Sequence, residues 1–402
     1  MALTNTTLRY GSVTRGFHWL TALLVLTLIP VAIIAEELPY ETSEQLARKA
    51  WLFSLHKTLG ITVFFVALLR IVWAISQPKP APLHADRKFE TLLAETAHWL
   101  LYGSLVLSPL SGWIHHASTS GFAPIWWPFG QSLPLVPKSE YVAAVTGGLH
   151  WVFGVVMIFT LLAHIAGALK HHLIDKDATL RRMLGRPADI PALIPTSHGA
   201  APILCAITIW AGTLAMGSVL SVYSEESETV ASASLEDVVS EWTVQNGEIA
   251  ITVTQFGSEV TGRFADWTAS IDYDDNVMTG PAGSVAAVIS IGSLTLGSVT
   301  DQAMGPDFFD TSTYPTATYT ADLIKGVDGF TAEGMLTIKD QSAPLSMPFS
   351  LLIEGDSAQM LASLTLDRRT FGIGDNMDDE SSLAFDVGVD ITLVATRAES
   401  SD

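Results

Sequence analysis

The sequence contains a single cysteine, Cys205, and no histidine after His198. A lone cysteine in an apolar run excludes an intramolecular disulfide framework, and it leaves the redox compartment open. Without histidine, the last half of the chain lacks the parts of a Ser/His/Asp triad or a histidine metal cluster. Basic residues are also scarce there. Residues 224–402 hold 6 Lys and Arg against 30 Asp and Glu, whereas residues 1–223 hold 15 against 11. A half this acidic does not bind nucleic acid or an anionic lipid surface by charge. The formal net charge of −20 therefore belongs to one half, and the chain reads as two proteins joined.

The first half is rich in long apolar runs. They fall at Phe17–Ile34, Thr58–Ile75, His98–Ile114, Val142–Leu169 and Pro202–Val222, each close to the roughly 20 residues that span a hydrocarbon core. Basic residues gather before the first run (Arg9, Arg15), between the second and third (Lys79, Arg87, Lys88) and between the fourth and fifth (Lys170, Lys176, Arg181, Arg182, Arg186). The positive-inside rule makes those segments cytoplasmic. The other face carries Glu36, Glu37, Glu41, Glu44 and the aromatic pair Trp126 and Trp127. The N-terminus is thus expected inside and the C-terminal half outside. A cleaved signal peptide would also place Arg9 and Arg15 before an apolar run, but four more runs follow it.

Four histidines have matching depths. His18 opens the first run at its inner end, His56 opens the second at its outer end, and His150 and His164 lie near the outer and inner ends of the fourth. Their fourteen-residue spacing brings His164 to within roughly 40° of His150 and about 21 Å along a helix. One helix face then presents one imidazole near each membrane surface. An unpartnered polar ring at lipid depth is costly, and facing helices of a bundle commonly hold cofactors. Ligation of haem iron would satisfy all four; a proton relay would use them too, whereas zinc gathers its ligands at one point. Arg70, fourteen residues after His56, is a charge within the second run that needs a haem propionate or a lipid phosphate. His98, His115, His116, His171, His172 and His198 sit at run ends or in loops and are read as interfacial or hydrogen-bonded.

The segments "GFHWL", "SLHKTLG", "GLHWVFG" and "LLAHIAGALKHHLIDKDATLRRML", with the outer loop "APIWWPFG", resemble the prokaryotic cytochrome b561 family over roughly Leu8 to Gly185. That resemblance implies an all-α transmembrane four-helix bundle at 1–185 with two b-type haems. His18, His56, His150 and His164 would be the iron ligands, paired by depth as His18 with His164 and His56 with His150. It further implies electron exchange with ubiquinone or another isoprenoid quinone in a bacterial inner membrane, in some members with superoxide as the outer donor. Lys57, Lys138 and Arg48 would draw an anion to the outer face, against the field of the acidic half. Iron with two protein ligands has no free position for oxygen, so such haems pass electrons. A fifth helix within 186–222 lacks histidine and reads as a tether, and the Ser/Glu-rich 223–240 as a linker.

From about Glu241 the pattern turns to strands. "VQNGEIAITVT" offers an Asn246–Gly247 hairpin turn followed by alternating Ile249, Ile251 and Val253, and "AFDVGVDITLVA", "SMPFSLLIE" and "SLTLD" alternate likewise. The segments "GRFADWTASIDYD", "GPDFFDTSTYPTATY", "GMLTIKDQSAPLSMPF" and "DRRTFGIGD" resemble the YceI family across 241–402. That resemblance implies a periplasmic, lipocalin-like antiparallel barrel with an apolar interior for a long isoprenoid chain. Phe308, Phe309, Tyr314 and Tyr319 either touch such a ligand or pack the core. The expectation is a membrane oxidoreductase carrying a non-catalytic lipid-binding module. An anchored lipid carrier and an electron-transfer subunit of a larger dehydrogenase are the alternatives.

Overall fold

The computed structural model describes residues 2–398 apart from 85, 120–122, 129, 186–198, 225–232, 236–239 and 328. His198 and most of the expected linker lie outside the described residues. The chain divides into two compact units, one built of the membrane helices and one holding the strands.

The helical unit contains α1 (Ser12–Glu37), α2 (Ser43–Ile75), α3 (Lys88–Ser118), α4 (Glu140–Leu173), a short α5 (Thr179–Leu184) and α6 (Ala201–Val219). Of these, α1, α2, α4 and α6 are long and apolar enough to cross a membrane. Helix α3 has the length at 31 residues, but it is more polar than the equal spans expected from sequence. Its polarity turns inward: Thr96, Ser104, Ser108 and Ser111 are buried. Thr96 and Ser111 donate to carbonyls one turn back, Leu92 O and Ser108 O, so those two hydroxyls are satisfied locally. Small side chains of this kind let helices pack closely within a membrane, and α3 lies along α4.

Helix α6 is more than the tether its sequence indicated. The Trp210 ring meets Phe153 of α4 edge-on at 5.0 Å. On α3, a Cβ at Gly103 would stand 3.2 Å from the indole nitrogen.

The stretch "KHHLIDKDATLRRM" ties off the end of α4. Lys170 and Arg87 hold Asp175 at 2.9 and 3.1 Å. His171 and His84 both meet Asp177 Oδ2, at 2.8 and 3.1 Å. Asp177 Oδ1 accepts the Thr179 N–H at the start of α5. Buried Arg182 donates to Ala81 O at 3.1 Å and lies over Tyr10. The hydrogen bond from Lys170, reinforced by Arg87, holds the Asp175 carboxyl down to about 2. A depressed carboxyl stabilises the fold above its ordinary pKa of about 4 and loses that contribution as pH falls through its folded value. Thermal midpoints in detergent should therefore be level from about pH 5 to 7 and fall below about pH 4. Asp175→Asn should flatten that fall; an unchanged slope would remove Asp175 from the account.

The second unit is one antiparallel sheet of ten strands among the described residues, in the order β3-β4-β6-β7-β8-β9-β10-β1-β2-β5. The strands are β1 (Trp242–Gln255), β2 (Ser258–Phe264), β3 (Trp267–Tyr273), β4 (Gly280–Ser290), β5 (Leu294–Thr295), β6 (Thr316–Lys325), β7 (Phe330–Ile338), β8 (Gln341–Glu354), β9 (Ser357–Asp367) and β10 (Leu383–Arg397), with a short helix α7 (Thr300–Met304). The sheet curls so that β1 meets both ends of it. Residues 249–255 of β1 pair with β2, while at its start the Ser240 hydroxyl accepts the Ile271 N–H of β3 at 2.6 Å.

Asn246–Gly247 does not make the expected hairpin turn. It lies inside β1, beside a bulge between Val244 and Asn246. The glycine serves close approach, since a Cβ there would stand 2.6 Å from the Trp267 ring. The real turn is Phe256–Gly257, where φ is +48° and +73° between paired Gln255 and Ser258, the signs that a two-residue primed turn demands.

Two apolar chambers fill the curl, of about 210 Å³ and 120 Å³. Ile249, Ala287, Tyr319, Met347 and Ile391 line both, so the chambers adjoin. Phe308, Phe309 and Tyr319 line the first; Tyr314 does not. The Tyr319 hydroxyl donates to Ala332 O at 2.9 Å, and burial pushes its pKa up to about 12.

Candidate functional site

Helices α1, α2 and α4 bring the four predicted histidines together in two pairs. The rings of His18 and His164 lie 6.2 Å apart between centroids, and those of His56 and His150 also 6.2 Å. Metal–nitrogen bonds of about 2 Å, with ring nitrogens about 1 Å from their centroids, put two imidazoles on one metal ion about 6 Å apart. The spacing in each pair fits one ion held between the rings.

The second nitrogens are oriented for this. His150 Nδ1 lies 2.8 Å from Ser108 O and His56 Nδ1 3.2 Å from Leu28 O. A ring donating Nδ1–H to a carbonyl presents the Nε2 lone pair to a metal. Room for a flat macrocycle is present beside the rings. Gly60 and Gly154 each follow a paired histidine by four residues, hence share its helix face, and nothing lies within 4 Å of where their Cβ atoms would stand. The donor set, the pair spacing and these openings fit two bis-histidine haems.

Arg70 stands over the Tyr102 ring at 5.2 Å, and its charge reaches His18, His98 and His164. It therefore belongs to the inner pair. Of the outer cations, Lys57 is buried, Lys138 Nζ donates to Thr119 O, and Arg48 is paired with Glu44 at 3.2 Å. The cations expected to attract an anion are thus buried or engaged within the protein.

Some features near the pairs were not legible in the sequence. His98, read as interfacial, stands 5.2 Å edge-on from His164 and bonds the Ala94 carbonyl. His115 and His116 lie 5.0 Å apart, with His115 Nδ1 on Ala143 O. In the outer loop, Trp127 stacks on Phe65 at 5.7 Å and meets Trp113, so the loop folds back onto its helices.

Gly112 of α3 sets the seat of His150. A Cβ there would lie 2.8 Å from His150 Nδ1, closer than real contacts allow. Gly112→Ala should push the ring off Ser108 O and lower haem at the outer site at least several-fold, with α3 still formed. Haem quantification against helical circular dichroism checks this; full haem loading would show that the ring has slack.

A helical membrane unit with two pairs of imidazoles, each spaced for one metal ion, defines a membrane electron-transfer protein, here extended by a barrel with an apolar interior. The family model for prokaryotic cytochrome b561 matches residues 9–186, and that for the YceI-like domain matches 242–395. Cytochrome b561 homolog 2 of Escherichia coli (strain K12) is 32% identical over 194 residues, covering 46% of this chain and 96% of that protein. The chain belongs to the prokaryotic cytochrome b561 family, which implies b-type haem, and carries a YceI-like domain after it. A probable superoxide oxidase CybB of Yersinia pestis is 25% identical, over 44% of this chain and 96% of that protein. Among solved structures, Burkholderia cenocepacia BcnA is 27% identical, covering 37% of this chain and 96% of that one, with a TM-score of 0.35.

Proposed function

We propose that the chain carries electrons between an outer donor, superoxide, and the membrane quinone pool, while its barrel takes up an isoprenoid lipid or quinone. The two imidazole pairs spaced for one metal ion each carry this reading. His56 and His150 would hold the outer haem, and His18 and His164 the inner one. Arg70 would take a propionate of the inner haem as its counter-charge. Haem held by two histidines of the chain would supply one-electron transfer rather than oxygen binding.

The chain's own groups set the conditions. Ser108 O and Leu28 O fix the tautomers of His150 and His56. Lys57 stands among His56, His115 and His116. Each superoxide gives up one electron and leaves as oxygen; a quinone takes two electrons and two protons to become quinol. The bundle lies in a bacterial inner membrane with the N-terminus cytoplasmic and the barrel periplasmic, by the placement of basic residues. The proposed domains are the bundle at 1–185, the connection and α6 at 186–222, the linker at 223–240 and the barrel at 241–402.

The test is a reduced-minus-oxidised spectrum of the purified protein with haem quantification. Two b-type haems per chain, reduced by a superoxide source and reoxidised by ubiquinone, are expected. Haems that ignore superoxide yet respond to quinol would replace the donor and leave an electron-transfer subunit.

A further inference from the structure

The barrel interior is almost wholly hydrocarbon, yet two glutamines line its first chamber. Gln255 closes β1 and is 4% exposed; Gln302 belongs to α7. Gln255 Oε1 and Gln302 Nε2 are both buried and have no hydrogen-bond partner. Buried polar atoms are nearly always paired, and leaving one unpaired costs the full desolvation of the group. Orphan amide atoms on an apolar cavity wall are what a site shows when its ligand supplies the missing bonds.

Both glutamines belong to the same end of the chamber. Gln255 pairs with Leu383, and the Leu383 carbonyl accepts from Arg368 Nη2. Helix α7 leads into Phe308, whose ring would lie 2.9 Å from a Cβ at Gly374, and the Gly374 carbonyl also accepts from Arg368. Among the described residues, Arg368 is the one cation lining either chamber. Its guanidinium has five N–H donors, and all are spent on the carbonyls of Ala384, Ile373, Gly374, Met377 and Leu383. The other polar group there, the Tyr319 hydroxyl, has given its proton to Ala332 O. The chamber thus offers unpaired amide atoms to a ligand, and its cation keeps no N–H donor unspent for a phosphate.

We infer that the barrel selects an isoprenoid with a neutral, hydrogen-bonding head, a quinone or quinol rather than a polyprenyl phosphate, and that Gln255 and Gln302 hold that head. The inference rests on the reading of the barrel as an isoprenoid site. The tail runs past Tyr319 into the second chamber, whose lining is hydrocarbon and aromatic rings. The head enters the chamber that α7 and the Arg368 loop close.

The full chain in nanodiscs is labelled with a photoactivatable azidoquinone bearing a farnesyl tail, and label is quantified by mass spectrometry in peptides of 241–397 apart from those of the helices. Unlabelled farnesyl-tailed quinone, farnesyl pyrophosphate and squalene serve as competitors, the last having a tail without a head. Label is expected in the barrel, displaced by the quinone at concentrations at least about tenfold lower than by the pyrophosphate, the factor carried by one well-made hydrogen bond. Gln255→Leu and Gln302→Leu should each weaken the quinone about tenfold, leave squalene unchanged, and hold the thermal midpoint, since leucine removes an orphan atom rather than a bond. Equal competition by the pyrophosphate, or variants that bind the quinone as well as the parent, would overturn the inference while leaving an isoprenoid site. Absence of barrel label together with no effect of squalene would instead remove the isoprenoid reading and the inference with it.

Discussion

On the proposed reading, replacing His150 with alanine should halve the haem carried per chain, from two to one, and abolish electron passage between superoxide and quinone. His150 and His56 stand 6.2 Å apart, and each gives its Nδ1 side to a carbonyl. Alanine would remove one of the two proposed ligands and leave Ser108 O facing the gap. A b-type haem held by those ligands and by packing alone should then leave the outer site. The inner pair, about 21 Å away along α4, is unaffected, because sites so far apart with no shared partner behave independently. Pyridine haemochrome quantification and the reduced-minus-oxidised spectrum read this directly. His164→Ala gives the complementary loss at the inner site. His98→Ala should retain both haems, although His98 stands 5.2 Å from His164, since only the His18 ring faces His164 at the spacing of a shared ion. Two haems in His150→Ala would remove the outer pair from its proposed role.

The second large effect concerns the barrel. Arg368→Ala lowers the barrel's unfolding midpoint by roughly 10 °C, from a loss of about 3–5 kcal/mol at roughly 2–4 °C per kcal/mol for a domain of this size. The Arg368 side chain is 3% exposed and its five donors tie together the ends of the segment from Ala384 back to Ile373. Alanine strips these carbonyls of their arginine donors; Gly374 O keeps the Met377 N–H. Segment 372–382 should then become the first site of limited proteolysis. Lysine has three donors on a point charge, so Arg368→Lys should recover only part of the loss. The neighbour makes a control: Arg369 is 52% exposed and paired with Asp367, and exposed pairs of this kind contribute about 0–1 kcal/mol. Arg369→Ala should barely move the midpoint. Equal effects at the two arginines would mean that the carbonyl cage is not what holds the segment.

The segments "DRRTFGIGD" and "KHHLIDKDATLRRM" pointed in the sequence to families, and in the structure they have physical explanations. Arg368 is the hub of a loop, and Lys170, His171, Asp175, Asp177 and Arg182 fasten the end of α4 to the chain around residues 81–90. Neither role is visible in one dimension, because Arg368 reaches carbonyls up to sixteen residues away and Arg182 one 101 residues away. Asn246–Gly247 misled for the same reason. As a dipeptide it has turn chemistry, but its glycine answers to Trp267, twenty positions on, and the tertiary demand prevailed over local preference.

What the sequence determined by itself are the properties set by composition and short periods: the division into a charge-poor apolar half and an acidic strand-forming half, the membrane helices, and the spacing of the histidines along them. A helix advances about 1.5 Å and 100° per residue, so spacing alone places His150 and His164 on one helix face about 21 Å apart. The tertiary structure alone decided which ring faces which, that Gly112 seats His150, that α6 packs through Trp210, and that two glutamines are left without partners inside the barrel. These are contacts between residues far apart in the chain, set by how helices pack and how a sheet curls, and no local pattern carries that information.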